Sequence, residues 1–174
     1  MNKTITINYT SGTTISSSAI DLLPCGEFMR ITNQEANTQE IISGATIASI
    51  IEHGEPATRQ SGGDAISIDF GGKIERIRGT VVSSHGGFLS VVDNKKGTRT
   101  WLPTHAFDEI MVILGRSDCS GDAVKVTFVD GKVITYENAG VKPEGSFICI
   151  SRECEGLASW FPASAISKIE FLNS

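Results

Sequence analysis

The sequence has no long hydrophobic run. None of its 174 residues belongs to a stretch approaching the about eighteen apolar positions that span a bilayer as a helix. The first segment, Met1-Asn2-Lys3-Thr4-Ile5-Thr6-Ile7-Asn8-Tyr9, alternates apolar and polar side chains, so it lacks the unbroken apolar core of a signal peptide. A cytoplasmic location is the expectation, with no membrane partner. Basic excess is also missing. The formal net charge is −5, which argues against general nucleic-acid binding, because phosphate contacts require a basic face.

Histidine is scarce. His53, His85 and His105 fall in a linker, a loop and a turn, and none stands at a recognisable spacing from a ligand or nucleophile. They read as surface residues. P-loop, dinucleotide, nucleophile-elbow and zincin patterns are absent. No catalytic residue, metal ligand or cofactor is assigned, and the chain is expected not to be an enzyme. Cys149 and Cys154 lie five apart (154 − 149), not at the two-residue gap of a zinc knuckle. With Cys25 and Cys119 they are expected to be reduced, inert thiols.

What is present is a repeat. With 40% hydrophobic and 20% charged residues the chain has a globular balance, so a folded repeat is the expectation. Three segments place apolar residues at alternate positions and end in an aromatic: Ile5-Ile7-Tyr9, Ile66-Ile68-Phe70 and Val124-Val126-Phe128. Alternation of this kind marks a half-buried strand. Gly12, Gly72 and Gly131 follow, each starting a hairpin turn that is clearest at Asp130-Gly131. A second block reads Gly26-Glu27-Phe28-Met29-Arg30-Ile31, Gly86-Gly87-Phe88-Leu89-Ser90-Val91 and Gly145-Ser146-Phe147-Ile148-Cys149-Ile150.

A third block runs from Trp101 to Ile110 and from Trp160 to Ile169, with Ile41 to Ile50 as its counterpart. From the phenylalanine to the first residue of this block is 13 in each copy (41 − 28, 101 − 88, 160 − 147), and from there to the closing isoleucine is 9 (50 − 41, 110 − 101, 169 − 160). The polar, glycine-rich stretches 53–63 and 115–121 separate the copies, and both lead into Gly-Asp-Ala. Asp64 and Asp122 of those tripeptides read as turn caps before strands. The expected boundaries are 1–53, 64–114 and 121–174.

Apolar residues three apart, Phe107 with Ile110 and Ile166 with Ile169, predict a single helical or 3₁₀ turn before each final strand. The order of hairpin, hairpin, short turn and last strand, with the Trp-x-Pro-x-x-Ala-x-x-x-Ile stretch, resembles the small SH3-like and Sm-like barrels. That resemblance implies an all-β protein of three tandem five-stranded barrels. It carries over no binding residue, because neither family's binding motifs are matched. A single β-trefoil-like domain is the alternative with the same threefold repetition. Units near fifty residues bury little surface alone, so packing against one another or against a second chain is expected.

The shared residues are expected to build three interiors. Trp101, Trp160 and Ile41 share a position, where apolar bulk for core packing is the simplest role. A basic group in the middle copy supplies the candidate ligand site: Lys73, Arg76 and Arg78 on its second strand, and Lys95, Lys96 and Arg99 around a hairpin tip beside Trp101. Arginine would pair with phosphate and the indole would stack on a base. A solvated strand face with gatekeeping charges is the plainer reading.

Two functions are consistent with these features. One is a non-catalytic binding or assembly protein acting through protein–protein contacts of its repeats, self-association included. The other is sequestration of a small anionic, nucleotide-like signalling ligand. In size, acidity and lack of catalytic motifs the chain is similar to compact proteins of bacterial viruses that blunt host defence in that way.

Overall fold

The computed structural model describes residues 3–54, 66–77, 79–93, 96–116 and 121–172. Asp64, Arg78, Lys95 and Cys119 lie outside them. The protein is all-β, and among the described residues the only helical elements are two single 3₁₀ turns. None of these elements is a helix long and apolar enough to cross a membrane.

The first copy contains β1 (Thr4–Tyr9), β2 (Thr14–Ser17), β3 (Ile20–Cys25), β4 (Phe28–Asn33), β5 (Thr38–Ser43), the turn Gly44–Thr46 and β6 (Ile47–His53). The second contains β7 (Ile66–Asp69), β8 (Ile74–Ile77), β9 (Gly79–His85), β10 (Phe88–Asp93), β11 (Thr98–Pro103) and β12 (Glu109–Ile113). In the third, β13 (Asp122–Phe128) is followed by one long strand, β14 (Val133–Glu144). Then come β15 (Phe147–Arg152), β16 (Leu157–Pro162), the turn Ala163–Ala165 and β17 (Ile166–Leu172). β14 pairs with β13 as far as Ala139 and with β15 from Gly140 onwards. A bulge marks the change of partner, and Asn138 sits in it at φ 49°, a conformation that asparagine tolerates better than most residues.

Each copy therefore has two parts. A base is formed by the first hairpin and the last strand: β2-β1-β6, β8-β7-β12, and the first half of β14 with β13 and β17. An arm is formed by the strands between: β3-β4-β5, β9-β10-β11, and the rest of β14 with β15 and β16. The hairpin glycines of the bases repeat almost identically. Gly12, Gly72 and Gly131 have φ of 87°, 88° and 88°, a region that side chains with a Cβ rarely enter.

The sheets do not follow the copies. One six-stranded sheet runs β2-β1-β6-β11-β10-β9, joining the first base to the second arm. An eight-stranded sheet runs β17-β13-β14-β15-β16-β12-β7-β8, and here the second base joins the third arm. The first arm stands as a separate three-stranded sheet, β3-β4-β5. None of the three closes into a barrel. The chain divides into two compact units, Met1–Ser61 with Arg78–Ala106 and Gly62–Ile77 with Phe107–Ser174, so the middle copy supplies strands to both.

In the first unit Ile5, Ile7, Ile47 and Ile50 of the base pack on Ile20, Met29 and Ile31 of the first arm. Phe88 and Trp101, from the following copy, complete that core. In the second unit a core forms from Val124, Val126, Tyr136, Ala139, Ile150 and Phe161, all of the third copy.

Candidate functional site

Two junctions between successive copies have the same construction. At the first, β6 pairs antiparallel with β11, and Ile50 lies opposite Trp101, Ile51 opposite Thr100, Glu52 opposite Arg99 and His53 opposite Thr98. At the second, β12 pairs with β16, and Ile110 lies opposite Trp160, Met111 opposite Ser159, Val112 opposite Ala158 and Ile113 opposite Leu157. Both run out in the same backbone bond. Gly54 N–H donates to the carbonyl of Gly97 (3.2 Å), and Leu114 N–H donates to that of Gly156 (2.6 Å).

The side chains follow the backbone. Phe88 is fully buried among the isoleucines of the first base, and Phe147 is fully buried with its ring stacked on Phe107 of the second base at 6.0 Å. Trp101 is 5% exposed and Trp160 8%. The third arm thus turns one face to the base of its own copy, through Ile150 and Phe161, and the other to the base of the copy before it, while the second arm turns its Phe88 and Trp101 face to the first base. Alternation along a strand makes this possible, since neighbouring side chains point to opposite faces.

Among the described residues no base lies on the outer face of the first arm. The three-stranded register sets Leu23, Arg30 and Ile41 in one row across the sheet, with Cys25, Phe28 and Ser43 in the next. On this outer face Leu23 is 46% exposed, Phe28 47% and Ile41 66%. The expectation that Phe28 and Ile41 would line an interior like their counterparts is corrected here. They occupy the face that another copy's base covers elsewhere, and the first arm has no such cover. The opposite end of the array is similarly open. On β17, Ile166 and Ile169 are only partly buried, whereas Ile47, Ile50, Phe107 and Ile110 at matching places are buried. Phe171 and Leu172 beyond them are 58% and 41% exposed.

The basic residues singled out from the sequence divide between the units. Lys73 and Arg76 lie at and beyond the β7–β8 turn in one, and Lys96, Arg99 and Trp101 lie on or beside β11 in the other. Arg99 sits over the Trp101 ring with its guanidinium carbon 5.6 Å from the centroid, and His85 meets the same ring edge-on at 5.2 Å. The indole Nε1–H donates to the buried carboxylate of Glu52, whose other oxygen receives the Lys3 ammonium at 2.5 Å. Two partners of this kind are what a buried carboxylate requires, because an unpaired one would be strongly disfavoured. Lys96 pairs with Asp93 at 3.6 Å.

His53, His85 and His105 are exposed. No group of three or more His, Cys, Asp or Glu among the described residues could hold a metal ion. Cys25 and Cys149 are free thiols, but Cys154 is disulfide-bonded, contrary to the expectation of reduced cysteines throughout. Burial raises the Cys149 thiol to about 11, with Glu144 adding to the effect and Lys142 opposing it.

One repeated feature was not read from the sequence. Asn37, Gly97 and Gly156 stand nine residues after the three phenylalanines (37 − 28, 97 − 88, 156 − 147), with φ of 51°, 63° and 68°. Asparagine is the residue most able to replace glycine there, and that exchange conceals the match. Compared with known proteins, the chain matches no family model, no curated protein and no solved structure.

Proposed function

We propose that this protein is a non-catalytic assembly protein that acts through protein–protein contacts of its repeats, each copy following the strand order of a small SH3-like barrel. One observation carries the reading. The outer face of the first arm presents Leu23, Phe28 and Ile41 to solvent, while the corresponding faces of the second and third arms are covered by a preceding base. Large apolar side chains left together on one face of a sheet mark a place of contact. An open sheet edge beside them adds backbone groups ready to pair.

The test is migration in clarified extract of the expressing cells. The wild-type chain is expected to run well above its 18.6 kDa, and the Leu23→Ser, Phe28→Ser, Ile41→Thr variant close to it. Equal migration of both at the size of a single chain would refute the reading.

A further inference from the structure

The occupant of that face can be read from the chain itself. Two base-to-arm junctions are already formed, and both follow one rule: the closing isoleucine of one copy stands opposite the first residue of the Trp-or-Ile block in the next. A third junction of the same kind has both of its halves present and unjoined. Its base half is β17, an edge of the eight-stranded sheet, and its arm half is β5, an edge of the three-stranded sheet.

We infer that β17 of one copy of this chain pairs antiparallel with β5 of a second copy, Ile169 opposite Ile41, closing the outer face of the first arm with the third base. This rests on the assembly reading above and names its partner. The register then sets Glu170 opposite Glu40, Phe171 opposite Gln39 and Leu172 opposite Thr38.

Exposure on both halves supports the pairing. β5 is exposed along its first four residues, whereas the matching strand β16 is buried along its last five. On β17, Ile166 and Ile169 are partly buried where Ile47 and Ile50 of β6 and Ile110 of β12 are buried. Phe28 would enter the third base as Phe88 enters the first, beside Ile166 and Ile169. A second copy already carries the base surface that β5 lacks and the arm surface that β17 lacks. The contact is head-to-tail, since each chain offers one β17 and one β5, so it propagates until a ring closes.

One feature opposes the pairing. Glu40 and Glu170 meet as like charges directly across the strands, which is unfavourable. Glu170 is already held by Lys168 at 2.8 Å and Lys125 at 3.7 Å, which offsets its charge. Glu40→Lys is therefore expected to tighten the association.

The experiment is sedimentation and native mass measurement of the purified chain, with circular dichroism to confirm folding. The wild type is expected at a multiple of 18.6 kDa. Ile41→Arg and Phe171→Arg alter exposed side chains, and each is expected to weaken association at least about a hundredfold while the β spectrum is retained. Mixed Ile41→Cys and Ile169→Cys chains are expected to form a disulfide between those two positions under mild oxidation, and Ile41→Cys mixed with Lys168→Cys much less of one. A folded wild-type monomer at tens of micromolar would overturn the inference. So would an assembly indifferent to both arginine variants, or a link that Lys168→Cys forms as readily as Ile169→Cys. If the purified chain is monomeric while the extract still shows a large complex lost in the triple variant, self-pairing fails and the assembly reading stands. If both are monomeric, both fail.

Discussion

The indole N–H of Trp101 is donated to the carboxylate of Glu52, two residues that lie 49 apart in sequence and meet where one copy's last strand joins the next copy's arm. The bond ties a charged group that is 2% exposed to an aromatic that is 5% exposed. It gives the first junction a polar lock that the second, with Val112 opposite Ala158, does not have.

Trp101→Phe keeps most of the apolar bulk and removes the donor. Leaving a buried acceptor short of a partner costs about 1–3 kcal/mol, and that loss is expected in urea unfolding. In the Glu52→Gln background the same substitution is expected to cost less, because a neutral amide loses less than a carboxylate. Equal losses in both backgrounds would show that the bond contributes nothing.

Phe88 and Phe28 hold the same place in successive copies with opposite surroundings. Phe88→Ala empties a site in the first core and is expected to destabilise the chain by about 3–5 kcal/mol. Phe28→Ala, measured in the Phe171→Arg background to hold the chain apart, is expected to stay within about 0.5 kcal/mol. A large loss at both positions in that background would mean that Phe28 is part of an interior after all.

Gly131 and Gly156 both hold positive φ, at 88° and 68°, but only one is crowded. A Cβ on Gly131 would meet nothing within 4 Å, whereas on Gly156 it would lie 2.7 Å from the carbonyl oxygen of Leu114. Gly131→Ala is expected to cost about 1 kcal/mol from backbone strain alone. Gly156→Ala should cost clearly more, since it also disturbs the bond from Leu114 N–H that ends the second junction. Thermal denaturation of the two variants side by side measures the difference.

Tyr136 titrates late. Burial raises its hydroxyl from 10.0 to about 12, the Glu109 carboxylate adds to this, and Arg152, 5.3 Å over the ring, opposes it. The folded state therefore holds the phenolic proton more tightly than the unfolded chain. Its contribution to stability is complete below about pH 10 and declines as the pH rises towards 12. Ultraviolet titration of the tyrosines should show this late component in the wild type and lose it in Tyr136→Phe. In Tyr136→Phe the decline in stability between those pH values should be smaller.

Cys25 and Cys149 differ in reactivity for the same physical reason. Cys25 is exposed, while burial limits access to Cys149 and, by raising its thiol to about 11, lowers its thiolate fraction further. Brief maleimide treatment of the Phe171→Arg chain, with peptide mass analysis, is expected to mark Cys25 and leave Cys149 unmodified.

The strands and their turns were legible in the residues because they depend on local rules. Alternation in Ile5-Ile7-Tyr9 and its counterparts, glycine at the hairpin positions and the gapless spacing from each phenylalanine to each closing isoleucine all act within a few residues. A single 3₁₀ turn does precede β6 and β17, but Ile166 and Ile169 lie on β17 itself, three apart across an irregularity in its pairing with β13, so their spacing did not mark a helical turn.

What the residues alone could not decide is which copy covers which. Phe28, Phe88 and Phe147 are one residue type at one position in the repeat, and the spacing that identifies them is silent about the strand lying beyond the sheet edge. Pairing with a neighbour forms the same backbone hydrogen bonds as pairing within a copy, so alternation is satisfied either way. Only the tertiary structure chose the preceding base as the partner of the second and third arms. That choice buries Phe88 and Phe147 under a neighbouring base and leaves Phe28 on a face that none of the described strands covers, because burial of a sheet face depends on the strands packed against it and not on the residue type it carries.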